Sequence, residues 1–218
     1  MNDRKTMPEP AVILVMGVSG SGKTTVGKLL AEQLGWQFRD ADDFHCAANK
    51  EKMHAGEPLN DEDRQPWLET LAQNIAGWIR AGEHTVLACS ALKKSYRATL
   101  TMDNKEILVV YLRADYEVIA ARLAQRENHF MNKDLLKSQF SSLEEPVAVS
   151  DYPDSDRAAR ALKLQQLGQD DLPVLVVDAT KSPEEITQEV LLQSRFRTNR
   201  VGTQNCEIEF PRGDLTDP

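Results

Sequence analysis

Gly17, Gly22, Lys23 and Thr24 occupy the fixed positions of a G-x-x-x-x-G-K-[ST] spacing within Met16-Gly17-Val18-Ser19-Gly20-Ser21-Gly22-Lys23-Thr24-Thr25. Glycines at this density let successive backbone N–H groups turn toward one anion without Cβ clashes. A helix starting at the end of such a loop points its positive end at the same anion. Residues Gly17, Val18, Ser19, Gly20, Ser21, Gly22, Lys23, Thr24 and Thr25 therefore read as a cradle for the phosphates of a nucleoside triphosphate. Lys23 would reach the β- and γ-phosphates, and the Thr24 hydroxyl would meet Mg²⁺.

Other charged groups are spaced to work with that cradle. In Asp40-Ala41-Asp42-Asp43-Phe44-His45 the carboxylates of Asp40 and Asp42 are expected on opposite sides of a strand end, serving different partners. Asp42 suits a substrate hydroxyl, as proton acceptor or positioning group. Asp40 suits the neighbourhood of Mg²⁺ and its waters. Arg64, early in a helix with Trp67, can grip a carboxylate with two N–H groups; the alternative is a solvated charge. Ser90-Ala91-Leu92-Lys93-Lys94-Ser95-Tyr96-Arg97 brings small residues to another strand end, with Lys93 and Arg97 as candidate cations. Arg122 and Arg126 stand one turn apart on one helix face and can neutralise charge on a transferring phosphoryl group. The alternative there is ion pairing with Glu127 and Asp115. His129 on its own reads more readily as structural than catalytic.

The elements that must position these groups follow from hydrophobic spacing. Ala11–Val15 is an unbroken apolar run of strand length, as a buried parallel strand requires. Val26, Leu29, Leu30 and Leu34 recur at helical spacing behind it, with Gly35 as the stop. Further strands are expected at Trp36–Arg39, His84–Cys89, Ile107–Leu112 and Val174–Val177. Between them lie a short helix at Ala47–Met53, a long one capped by Asn60 or Asp61 and ended by Gly82, one carrying Tyr96 and Leu100, and one at Tyr116–Gln125. A last helix opens with Ser182-Pro183-Glu184-Glu185. Alternating strands and helices predict an α/β fold, a three-layer sandwich around a five-stranded parallel sheet. Ligands in such sheets bind at the carboxyl edge of the strands.

Bulk properties exclude several classes. The chain has 218 residues and a net charge of −8, which disfavours a broad nucleic-acid surface. Cys46, Cys89 and Cys206 are odd in number and fit no metal pattern, which suggests a reducing compartment and a cytoplasmic protein. No apolar run approaches membrane-spanning length. The strand before Ser90 lacks the terminal Asp of motor ATPases and GTPases, and Asn49-Lys50-Glu51-Lys52 lacks the Asp that reads guanine. Residues 1–10 read as a disordered leader, 11–194 as the P-loop domain, 127–146 as a mobile lid, 147–172 as an insertion, and 195–218 as a disordered tail.

Taken together, the phosphate loop, Asp40–His45, Pro58-Leu59-Asn60-Asp61-Glu62-Asp63-Arg64-Gln65-Pro66-Trp67-Leu68, Ala88–Lys93 with Tyr96-Arg97, and His129-Phe130-Met131 with Ser138-Gln139-Phe140 resemble the P-loop gluconokinases. The loop alone implies only a nucleotide. The other segments are far more specific, and the resemblance covers about residues 11–146. It implies a nucleoside-monophosphate-kinase-like fold, ATP and Mg²⁺ as cofactors, a homodimer, and phosphorylation of D-gluconate at its 6-hydroxyl. It implies further that Asp42, His45, Arg64, Ser90, Lys93, Arg97 and His129 face gluconate, while Lys23, Arg122 and Arg126 face ATP phosphates. Residues 147–172 and the tail depart from the family pattern. The competing readings are a shikimate or nucleoside monophosphate kinase and a nucleotide-binding regulator without turnover.

Overall fold

The computed structural model describes residues 10–102, 104–125, 133–146 and 174–193. Residues Arg126 and His129, the insertion at 147–172, the tail and nearly all of the leader lie outside the described residues.

Five parallel strands form one sheet in the order β2-β3-β1-β4-β5. They are β1 (Val12–Met16), β2 (Gln37–Asp40), β3 (Thr85–Ala88), β4 (Ile107–Arg113) and β5 (Val174–Asp178). The helices are α1 (Lys23–Leu34), α2 (Ala47–His54), α3 (Asp61–Ala81), α4 (Lys94–Thr101), α5 (Tyr116–Ala124), α6 (Lys133–Ser142) and α7 (Pro183–Gln193). Every residue of β1 is buried, because this central strand is covered on both faces. Period-two alternation divides it. Val12, Leu14 and Met16 pack with Trp67, Leu68, Leu71 and Ile75 of α3. Ile13 and Val15 pack on the other face with Val26 and Leu30 of α1 and with Ile186 and Val190 of α7. This is the expected three-layer sandwich.

Strand order reverses about β1. The chain places β2 and β3 on one side of it, then β4 and β5 on the other. A crevice opens at such a switch point outside the carboxyl ends of the strands, and β1 runs directly into the glycine loop there. Because all strands are parallel, Asp40–His45 after β2 and Cys89–Lys93 after β3 emerge at the same edge. The Gly17 N–H donates to Ser90 O at 3.3 Å, tying two of these loops together.

The helix ends follow local chemistry. Asn60 caps α3: its side chain accepts from the Asp63 N–H, and the Asp63 carboxylate accepts in return from the Asn60 N–H. Ser182 and Glu185 make the same reciprocal pair at α7. One element was not expected. Within the stretch read as a lid, α6 packs Leu136 against Val18, Leu92 and Ile119, and Glu144 beyond it donates its N–H to Leu92 O at 3.0 Å. Among the described residues no helix is long and apolar enough to cross a membrane.

Candidate active site

The phosphate loop leaves the sheet through Gly17 at φ +146° and reaches α1 through Gly22 at φ +100°. A Cβ on Gly17 would lie 2.7 Å from the Ser21 hydroxyl and 3.0 Å from Leu112 O, so only glycine fits this bend. The loop's side chains turn inward. Ser21 is buried, and the Lys23 ammonium donates to Val18 O at 3.0 Å across the loop. α1 begins at Lys23 directly after the loop, and a helix start of this kind leaves its first N–H groups without intrahelical acceptors.

Asp40 joins this loop to the next. Its Oδ2 accepts from the Thr24 hydroxyl at 3.3 Å, and its Oδ1 accepts from the Asp42 N–H at 3.1 Å. The two carboxylates therefore do not sit on opposite sides as expected. Residues i and i+2 share a strand face, and the chain also folds at Asp40 into a 3₁₀ turn, Ala41–Phe44. Asp42 stays basic for an aspartate. Desolvation raises its pKa, the neighbouring Asp40 carboxylate raises it further, and Lys23 pulls in the opposite direction. Asp42 is nonetheless exposed at the surface. An exposed carboxylate is reachable even where neighbouring atoms displace part of its hydration. Thr24 and Asp40 offer hard oxygen donors side by side, the donor set that suits Mg²⁺ held by one or two protein oxygens plus phosphates.

The turn carrying Asp42 is pinned to α3. Trp67 Nε1 donates to Ala41 O at 2.8 Å, and the His45 ring stacks on Trp67 with centroids 4.3 Å apart. His45 is 7% exposed, and its Nδ1 has no hydrogen-bond partner. Burial, then the cations Arg64 and Lys50, push its pKa down to about 4, so it is neutral at physiological pH.

Arg64 and Lys93 converge on Tyr96. The Arg64 guanidinium lies 5.8 Å and the Lys93 ammonium 5.4 Å from the ring centre. Arg64 also donates to the Tyr96 hydroxyl at 3.4 Å. Lys93 binds both carboxylate oxygens of Asp61 at 2.7 Å, and the Tyr96 hydroxyl donates to the same carboxylate. The Lys93 contact, then Tyr96, hold the Asp61 pKa down. Lys93 thus holds the Asp61 carboxylate directly, and Arg64 is linked to it only through the Tyr96 hydroxyl. Asp63, beside Arg64 in sequence, instead serves the α3 cap and a 2.6 Å ion pair with Lys52.

Arg97 is placed differently from the expectation of a substrate cation. It is buried, donating to Ala91 O at 3.1 Å and Leu92 O at 2.9 Å. Those bonds brace Ala91, a non-glycine residue at φ 44°. Arg97 therefore shapes the Ser90–Lys93 loop from beneath. Arg122 donates to Thr180 O at 3.3 Å beyond the end of β5. The Cys89 thiol, buried beside the cleft, is pushed up to about 12 and is inert as a nucleophile. Sequence reasoning missed Asp61 as the partner of Lys93 and Gln139 as a neighbour of the phosphate loop. The spacing of Leu136, Phe140 and Leu143 could have revealed the helix that carries Gln139.

The chain is similar to known proteins. The family model described as Shikimate kinase matches residues 19–193. A probable gluconokinase from Mus musculus is 49% identical over 163 residues, covering 67% of this chain and 89% of that protein. The chain belongs to the gluconokinase family. A gluconokinase from Gluconobacter oxydans is 40% identical over 183 residues, covering 84% of this chain and 90% of that one. The crystal structure of a gluconokinase from Sinorhizobium meliloti 1021 superposes with a TM-score of 0.67 at 34% identity, covering 86% of this chain and 92% of its own. Membership in this kinase family fits the phosphate loop that follows β1.

Proposed function

We propose that this chain transfers the γ-phosphoryl group of MgATP to the 6-hydroxyl of D-gluconate, giving 6-phospho-D-gluconate and ADP. It is a phosphotransferase with an alcohol acceptor. The observation that carries the reading is Asp42, a reachable carboxylate of raised basicity coupled to Lys23 at the mouth of the phosphate loop.

Asp42 accepts the proton of the 6-hydroxyl as its oxygen attacks the γ-phosphorus. The bond to the β,γ-bridging oxygen breaks, and ADP takes that electron pair. Lys23 and the N–H groups at the start of α1 steady the phosphate charge, with Arg122 and Arg126 as further cations on the transferred group. Thr24 and Asp40 would hold magnesium, which would supply positive charge to the phosphates. Arg64 and Lys93 hold the gluconate carboxylate, and Ser90, His45 and His129 complete the acceptor site. Arg97 supports that site through its loop.

The supporting chemistry is that a small acid needs a cationic patch set apart from the phosphate loop, and the Arg64–Lys93–Tyr96 group is one. Shikimate also carries a carboxylate, so the test is an ADP-release assay over D-gluconate, other aldonic acids, shikimate and nucleoside monophosphates. Gluconate-dependent release supports the reading; shikimate-dependent release would replace it. MgATP binding with no acceptor-stimulated turnover would mark a nucleotide-binding regulator. We place the enzyme in the cytoplasm as a homodimer, with light scattering as the check on the latter. The proposed domain spans 11–194, with a lid about 127–146, an insertion at 147–172 and a terminal tail.

A further inference from the structure

We infer that Gln139 is a positioning residue for the phosphate loop. Its side chain meets Ser19 at two points: Oε1 accepts the Ser19 N–H at 2.7 Å, and Nε2 donates to Ser19 Oγ at 3.3 Å. The backbone donor dictates which end of the amide faces it. This pair joins residues 120 apart in sequence, one in the middle of the loop and one on α6.

The loop's donors divide into two sets. Gly17 N–H bonds Ser90 O at 3.3 Å, Ser21 N–H bonds Val18 O at 3.2 Å, and Ser19 N–H bonds Gln139. These bonds shape the loop. Thr24 and Thr25 follow in the first turn of α1, where a helix leaves its N–H groups without intrahelical acceptors, and these are the donors that an anion would meet. Gln139 therefore acts as a brace rather than as a substitute for a phosphate. The loop's other face is equally constrained. Val18 packs with Leu92, Ile119 and Leu136, and a Cβ on Gly20 would lie 3.0 Å from Leu123 and 3.1 Å from Ile119. The loop is thus seated on α5 and α6, and Gln139 is the polar contact that fixes its register there.

The same segment holds the acceptor side. Just past α6, the Glu144 N–H donates to Leu92 O at 3.0 Å, and the Glu144 carboxylate accepts the N–H of Lys94 at the start of α4. One continuous stretch, α6 and the residues just after it, thereby touches both loops, with Gln139 on the nucleotide loop and Glu144 on the loop that carries Lys93. In-line transfer depends on the relative placement of those halves. This inference rests on the proposed nucleotide-binding role of the loop.

The test compares full-length wild type with Gln139→Leu, which keeps bulk but loses both hydrogen bonds. Calorimetry with MgATP reads affinity, and steady-state assays read kcat and the gluconate KM. Loss of one to two hydrogen bonds predicts an MgATP Kd raised about 5- to 30-fold. A lower kcat and a gluconate KM within about twofold of wild type should accompany it. Ser19→Ala removes the hydroxyl half alone and should cost about two- to fivefold in Kd. The double variant should bind no worse than Gln139→Leu, because the Ser19 hydroxyl has already lost its partner. Gln139→Glu, which keeps an acceptor but adds charge beside the phosphates, should weaken MgATP binding more at low salt than at high salt. That last variant carries the test if Gln139→Leu does not fold.

Wild-type-like Kd and kcat in Gln139→Leu, a double variant whose loss equals the product of the singles, or a Glu variant indifferent to salt would each overturn the inference. A wild-type chain that binds MgATP but ignores gluconate would overturn the proposed acceptor alone, leaving the affinity comparison decisive. Failure of wild type to bind MgATP would overturn both.

Discussion

At the scale of single residues, the site works by setting protonation states that differ from those in water. Asp42 is held basic by burial and by Asp40, so it stays protonated to a higher pH than an ordinary aspartate. The acid limb of the kcat/KM profile should therefore lie above the usual aspartate range, with activity falling as pH drops through it. Asp42→Asn should lose roughly 10²- to 10⁴-fold in kcat while binding MgATP as well as wild type; near-normal turnover would remove Asp42 from the mechanism. His45 shows the converse shift, from 6.5 to about 4. A depressed histidine pKa means the unfolded chain binds the extra proton first. The stability that the neutral ring contributes is present above about pH 6.5 and is lost as pH falls toward 4. Denaturant unfolding at pH 7 and pH 5 should show a loss of about 2 kcal/mol, absent in His45→Phe. Arg64→Ala should raise the gluconate KM about 10- to 100-fold by removing a charge-assisted contact, with ATP affinity little changed. The opposite pattern would move Arg64 to the nucleotide site.

At the scale of elements, what the sequence makes legible is whatever rests on short-range pattern. The β1 run, the glycine loop, the α3 cap and the alternation of strands and helices all follow from neighbours within a few residues, and the structure has them within one or two positions. Contacts between distant segments are not encoded that way. Asp61 looks like another acidic residue at a helix start, yet it is the partner of Lys93 and Tyr96, 32 and 35 residues on. Arg97 looks like a free cation until the Ser90–Lys93 loop folds back over it. The misjudged Asp40–Asp42 geometry came from a misapplied strand alternation, at the point where the chain turns into a 3₁₀ helix. Arg97 also supplies an element-scale prediction. Arg97→Met leaves the Ala91 carbonyl without a donor and the Leu92 carbonyl with the Glu144 N–H alone, so it should destabilise the fold by about 1–3 kcal/mol and raise the gluconate KM through a loosened loop. Unchanged thermal unfolding would contradict that placement.

Across the whole molecule, the sheet does the organising. β1 is covered on both faces, so the two layers of helices are held by one strand, and the loops at its carboxyl edge inherit that rigidity. Leu71 illustrates the dependence: fully buried between α3 and the sheet, its truncation to Ala should cost about 2–5 kcal/mol and lower kcat only through the fraction folded. The groups proposed to bind anions fall into two territories on this frame, the glycine loop between β1 and α1, and Arg64 and Lys93 at the starts of α3 and α4, with Asp42 on the turn after β2. A transfer enzyme for a small acid needs that separation. The most direct measurement is phosphorus NMR of the full-length protein with MgATP and D-gluconate. The account predicts stoichiometric appearance of a 6-phosphate monoester as the γ-phosphate signal disappears. A spectrum in which ATP persists, or yields only inorganic phosphate, would contradict it.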